Sequence, residues 1–104
     1  LQRSDAQIWI LDLGGREIGQ VRLQRGDEGL ETDIYLEKNY RLKGFGRKAL
    51  SFLKEERDRN WPRLKLIARI GSANQPSIQL FEKSGYEYIE TRSDHLLYAL
   101  RPKP

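Results

Sequence analysis

Two β-rich runs, Gln7-Ile8-Trp9-Ile10-Leu11 and Glu17-Ile18-Gly19-Gln20-Val21-Arg22-Leu23, stand either side of Gly14-Gly15 and predict a hairpin. Gly26-Asp27-Glu28-Gly29 marks the next turn, and Leu30 to Leu36 predicts a third strand of the same meander. The period then changes. Phe45, Ala49, Leu50, Phe52 and Leu53 recur at spacings of three and four, which predicts a helix from about Gly44 to Asn60 with one apolar face, ended by Trp61-Pro62. Leu64-Lys65-Leu66-Ile67-Ala68-Arg69-Ile70 predicts a fourth strand, and its arrival after a helix implies a crossover and a parallel pairing. Asn74 stands near the cap of a second helix, and Pro76 sits where a first turn tolerates it. That helix runs to about Ser84 and stops at Gly85, a residue suited to the left-handed terminator position. Tyr86–Thr91 and His95–Leu100 form a closing hairpin across Ser93-Asp94. The expected order is β-β-β-α-β-α-β-β, in a single α/β domain over residues 1–104.

Composition narrows the chemistry. The chain of 104 residues has no cysteine and one histidine, which excludes disulfides and thiolate or multi-histidine metal sites, so no metal is expected. It carries no run of about 18 apolar residues and no signal-peptide pattern, so a cytoplasmic location and no membrane partner are expected. Nineteen basic residues against 15 acidic ones give +4, a mild bias towards anionic partners that fits nucleic acid, a membrane surface or a phosphorylated cofactor equally. Placement of the charges decides between them.

The placement centres on Arg41-Leu42-Lys43-Gly44-Phe45-Gly46, where the third strand breaks into a glycine loop that opens into the first helix. Backbone N–H groups at such a junction, with the partial positive charge of the helix end, suit a phosphate or pyrophosphate. Arg41, Lys43, Arg47 and Lys48 crowd the start of the helix, whereas Glu55, Glu56 and Asp58 lie near its end. That order opposes the helix dipole by ~0.3–1 kcal/mol per charge. A bound anion accounts for it. Nucleic-acid binders spread bases and aromatics along a face; here the bases gather at one helix end, so no nucleic-acid partner is expected.

These residues resemble the GNAT superfamily of acyl-CoA-dependent N-acetyltransferases. The loop matches the family's pyrophosphate signature at Arg41, Gly44 and Gly46, and its later signature is matched at Asn74, Ser77, Leu80, Phe81, Gly85 and Tyr86. The resemblance covers about Ile18 to Tyr98 and implies a GNAT-like mixed, mostly antiparallel sheet whose parallel pair splays at the cofactor site. It implies acetyl-CoA as acyl donor: the backbone of Ile34 and Leu36 would bind the pantetheine arm as an added strand. The amides of Leu42, Lys43, Gly44, Phe45 and Gly46 would hold the pyrophosphate, with the two glycines leaving the phosphates room to approach. Asn74 would hydrogen-bond the arm and Phe81 would pack near the thioester. Asn74 also reads as a helix cap alone, and Phe81 as core alone. The implied activity is transfer of an acetyl group to a primary amine; the alternative is a module that binds acyl-CoA without turnover.

Two departures from the family motivate that alternative. Phe81 stands where many members carry a tyrosine acid, and Arg69 stands where several carry a glutamate base. Glu31 and Asp33, two apart on one face of the strand before the loop, are then the candidate bases, Glu31 first; both also read as polar residues of a solvated face. His95 titrates in the right range but flanks a turn beside Asp94. The family's first strand and helices have no counterpart here beyond Leu1 to Ala6, and the chain starts at Leu1, which leaves room for an upstream segment. A sheet face left bare by that loss is expected to be apolar and covered by a second copy, giving a possible homodimer.

Overall fold

The computed structural model describes residues 6–104. It contains β1 (Ala6–Leu13), β2 (Arg16–Arg25), β3 (Leu30–Leu36), α1 (Phe45–Asn60), β4 (Leu66–Gly71), α2 (Gln75–Lys83), β5 (Glu87–Arg92) and β6 (His95–Leu100), with a single 3₁₀ turn at Lys38–Tyr40. The element order is the one expected. Residues Leu1 to Asp5 lie outside the described residues, so the expectation for the segment before the hairpin is tested only at Ala6.

The six strands form one sheet in the order β1-β2-β3-β4-β6-β5. Every neighbouring pair is antiparallel except β3 with β4, which is parallel. That parallel pair is short: its register holds only Leu30 with Leu66 and Glu31 with Ile67. Beyond Glu31 the two strands part, as the family resemblance implies.

Both helices cover the same sheet face. Ala49, Leu50 and Leu53 of α1 and Ile78 and Phe81 of α2 pack into one buried cluster with Val21, Leu23, Leu30, Leu66, Ala68, Ile70 and Tyr98. Leu50 and Leu53 are the anchors, since the three- and four-residue spacing turns them inward together. Phe45 and Phe52, expected on the same face, are only half buried; Phe52 stands edge-on to Trp9 at a ring separation of 5.3 Å.

β4 begins later than the pattern predicts. The Leu64 N–H bonds the Trp61 carbonyl in a turn, and the Leu64 carbonyl accepts from the buried Arg57 guanidinium at 2.8 Å. Its backbone groups are thus committed before the strand starts. Arg57 is 1% exposed and also donates to Asp58 at 2.7 Å, which satisfies a charge that burial would otherwise make costly.

The opposite face corrects one expectation. It is not a bare apolar surface. Ile67, Leu97 and Ala99 form a small buried cluster there, and a Cβ on Gly29 would stand 3.3 Å from Ile67, so the β2–β3 loop lies against it. Across the middle of the face, Arg22 pairs with Asp33, and Glu31, Arg69, Glu28, Arg92 and Glu90 form a chain of ion pairs. Ile8 and Ile10 on the edge strand β1, and Tyr35 on β3, leave large apolar side chains about half exposed on this face. The strand pattern hid this because Arg69, Arg92 and Glu28 meet only after the chain has folded back on itself.

Candidate functional site

A cleft of about 600 Å³ opens beside the free part of β3, lined by Ile34, Tyr35 and Leu36, by Arg41, Leu42, Gly44, Gly46 and Arg47 of the loop and helix start, and by one side of α2. The backbone explains the strand wall. The Leu30 N–H bonds the Lys65 carbonyl across to β4, and alternation turns the N–H and C=O groups of Ile34 and Leu36 to the same side. With the β3–β4 ladder finished at Glu31, those groups face the opening. One is already used: Arg41 Nε donates to the Leu36 carbonyl at 2.8 Å.

That bond defines what Arg41 does. It ties the glycine loop to the end of β3, and its guanidinium lies 5.7 Å from the Tyr35 ring centre. Leu42 and Gly44 both take left-handed conformations, at φ 61° and 88°, so the loop curls and turns successive amides inward. Leu42 adopts this strained shape while 92% exposed, which places the strain where a ligand would arrive. Gly44 caps α1 with no side-chain hydrogen bond, and the first intrahelical bond comes from the Lys48 N–H to its carbonyl. The amides of Phe45, Gly46 and Arg47 therefore point out of the helix end unpaired.

The charges around this end are free to act. Among the described residues, Lys43, Arg47 and Lys48 have no acidic partner within ion-pair distance. The acids near the other end are neutralised locally, Asp58 by Lys54 and Arg57 and Glu56 by Arg59. The dipole is thus opposed chiefly at the cleft.

Of the residues the sequence singled out, Ile34, Leu36, Arg41, Leu42, Gly44, Gly46 and Asn74 line the cleft. Lys43 and Phe45 do not line it and bring only their backbone to the loop; the Phe45 ring packs 6.1 Å from Tyr40 instead. Gly46 lines the cleft and also has a packing role that the sequence did not show. A Cβ there would meet the Leu80 methyls at 3.0 and 3.2 Å, so the missing side chain serves the packing of α1 on α2. Gly44, by contrast, has open space where its Cβ would be.

Asn74 both caps and faces the cleft. Its Oδ1 accepts from the Ser77 N–H at 3.2 Å, leaving the amide nitrogen free for a ligand. Phe81 lies in the core at 3% exposure, edge-on to Tyr86, and does not reach the cleft. The two candidate bases differ sharply. Both Glu31 oxygens accept from Arg69, at 2.9 and 2.8 Å, so each oxygen of the first-named candidate base already holds a charged donor. Asp33 bonds Arg22 through Oδ2 at 3.1 Å and keeps its other oxygen open. His95 is at the far hairpin, its Nδ1 3.7 Å from Asp94.

Sequence reasoning missed Tyr35 and most of a face of α2 as cleft lining, while Arg47, singled out for its charge, also lines the cleft. Pro76, Gln79, Leu80 and Lys83 line the cleft at positions i, i+3, i+4 and i+7. That helical spacing was present in the sequence and becomes a site only once α2 is known to flank the loop. Arg47 and Lys83 add a cation from each helix to the cleft wall.

No curated protein matches the chain. Among solved structures, Campylobacter jejuni N-acetyltransferase PseH superposes with a TM-score of 0.82 at 17% identity, over 96% of this chain and 70% of that one. PseH has also been solved in complex with acetyl coenzyme A. A dodecameric spermidine N-acetyltransferase from Vibrio cholerae gives 0.82 at 16% identity, over 96% and 67% of the two chains. A domain from Methanocaldococcus jannaschii gives 0.83 at 25%, over 95% and 68%. These likenesses establish the mixed sheet with its parted parallel strands. The family model of the acetyltransferase (GNAT) domain matches residues 4–88, a span that holds the glycine loop, both helices and the parted strands. With that match, the chain belongs to the GNAT acetyltransferase family.

Proposed function

We propose that this protein is an N-acetyltransferase that moves an acetyl group from acetyl-CoA to a primary amine. The observation that carries the reading is the cleft itself. Unpaired amides at a helix N-terminus, Arg47 and Lys83 on facing helices with no acidic partner among the described residues, and free strand backbone stand in one continuous opening. Phosphates suit the first two, and an extended amide-containing arm suits the third.

In the transfer, the neutral amine nitrogen attacks the thioester carbonyl, an N–C bond forms, the C–S bond breaks and the thiolate leaves. The acceptor must first lose a proton, because a primary ammonium holds it up to a pKa of ~10.4. We assign that proton to Asp33, one residue from the free Ile34 backbone and with one oxygen open, in place of Glu31. No tyrosine acid serves the thiolate from position 81, since Phe81 is buried away from the cleft. The proton released by the amine is the available one.

The test has two stages. Calorimetry with acetyl-CoA should show binding that Arg47→Glu weakens at least tenfold, by placing a like charge against the phosphates. Unchanged affinity would remove the phosphate assignment. Release of free thiol with a panel of amines then separates an enzyme from a module that only binds. Asp33→Asn should lower turnover by about 10²–10⁴ with acetyl-CoA affinity kept. Full activity in that variant at every pH would mean that the base is elsewhere.

A further inference from the structure

The ion-pair chain on the open sheet face lies at the crotch of the fork. Glu31 is the last β3 residue paired with β4, through Ile67, and Arg69 stands two residues further along β4, on the same face as Glu31. Instead of pointing across the gap, Arg69 reaches back and grips Glu31 with Nε and Nη2, at 2.9 and 2.8 Å. The same Nη2 holds Glu28 of the β2–β3 loop at 3.0 Å. From β5, Arg92 reaches over β6 and takes both Glu28 oxygens, at 3.1 and 2.8 Å. Arg92 is itself backed by Glu90.

The mechanical setting gives this chain its meaning. β3 is fixed to β2 by seven residue pairs, and β4 to β6 by six. Under the helices the two halves share one buried core, but within the sheet and on its open face, among the described residues, two residue pairs and the ion-pair chain join them. A two-pair ladder fixes little of the angle at which the strands part, and on the open face the next contact across it is Arg69 with Glu31 and Glu28. The planar guanidinium of Arg69 meets a carboxylate in a fixed fork-to-fork geometry, which sets a distance and an angle that a flexible ammonium would not.

We propose that Arg69 is a positioning residue: by holding Glu31 and Glu28 across the crotch, it fixes where β3 and β4 part and so sets the opening offered to the acyl-bearing arm of the donor. The proposal rests on the reading of the cleft as an acyl-CoA site. It gives Glu31 a job in holding the strand rather than moving a proton, and Glu28 the job of bracing Arg69 from the other half of the sheet, with Arg92 holding Glu28 in place.

The test compares two ligands on the same protein. CoA has the pantetheine arm; 3′-phosphoadenosine 5′-diphosphate has the phosphates and adenine without it. Arg69→Met should weaken CoA by about fivefold, the scale of a part-exposed ion-pair network, and leave the truncated nucleotide within about twofold. Arg69→Lys should fall between wild type and Arg69→Met, and it carries the comparison if the methionine variant does not fold. Exchanging the charges, Arg69→Glu with Glu31→Arg, should recover CoA affinity that Arg69→Glu alone loses. Equal loss for both ligands, no loss for either, or no recovery on exchange overturns the proposal. Wild-type protein that binds neither ligand overturns the acyl-CoA reading itself, which is a separate result.

Discussion

Gly44 and Gly46 stand in one loop-to-helix junction and are required for different reasons. Gly44 supplies a left-handed backbone with open space around it, so Gly44→Ala should cost about 1–2 kcal/mol, through conformation alone. Gly46 has no conformational demand; it lets the Leu80 methyls come close. Gly46→Ala should cost about 1–3 kcal/mol by overpacking, measured by denaturant unfolding, and a Leu80→Ala background should remove much of that cost. Equal costs in both backgrounds would show that Leu80 is not the obstacle. The glycine signature was legible in the sequence, but the division of labour was not, because the space beside Gly46 is set by a residue on the other helix. Glu31 repeats the lesson. Its alternation marked a polar face, yet its partner lies 38 positions away, and that partner is what engages its proton-accepting oxygens.

At the scale of elements, periodicity carried most of the fold. The Leu30–Leu36 strand, the face of α1 through Ala49, Leu50 and Leu53, and the Gly85 terminator of α2, at φ 96°, all follow from local chemistry. The start of β4 did not, because it is set by Arg57, a charged residue on the inner side of α1 that no hydrophobic pattern marks as core. Arg57 joins the C-terminal end of α1 to the turn that launches β4. Arg57→Ala should therefore cost about 3–5 kcal/mol, read as a large fall in melting temperature, by emptying a buried site and leaving the Leu64 carbonyl unpaired. A fall of less than a few degrees would show that the turn holds without it.

For the whole molecule, charge sets the pH limits of the fold. The Arg92 hydrogen bonds first, then those of Arg69, hold the Glu28 carboxyl at about 2 against an ordinary 4.5. A depressed carboxyl stabilises the fold above its unfolded pKa, so this contribution should fade as pH drops from about 4.5 to about 2. At the other end, burial pushes Tyr86 up to about 12, and donation to Glu82 does the same for Tyr98. Both hold their protons longer folded than unfolded, so stability should fall as pH climbs from 10 to 12. Melting temperatures across pH measure both limbs, and Glu28→Gln should flatten the acid one. The open face that carries Glu28 was the least legible part of the chain, since its pairs join residues from separate strands.

The two-pair junction between β3 and β4 also has a consequence for how the chain comes apart. On either side of it stands a three-stranded unit, β1-β2-β3 and β4-β6-β5, built largely from hairpin neighbours. Such units can differ in local stability, and amide exchange should report two protection classes, one for β1-β2-β3 and one for β4-β6-β5, whose border runs between β3 and β4. A donor whose arm adds to the free edge of β3 while its phosphates bind the start of α1 would fill the gap beside that border. Its concentration would then govern integrity as well as turnover, by about 2.7 kcal/mol at a hundred times its dissociation constant. Starved of acyl donor, the protein would be the first to loosen at the place where it works.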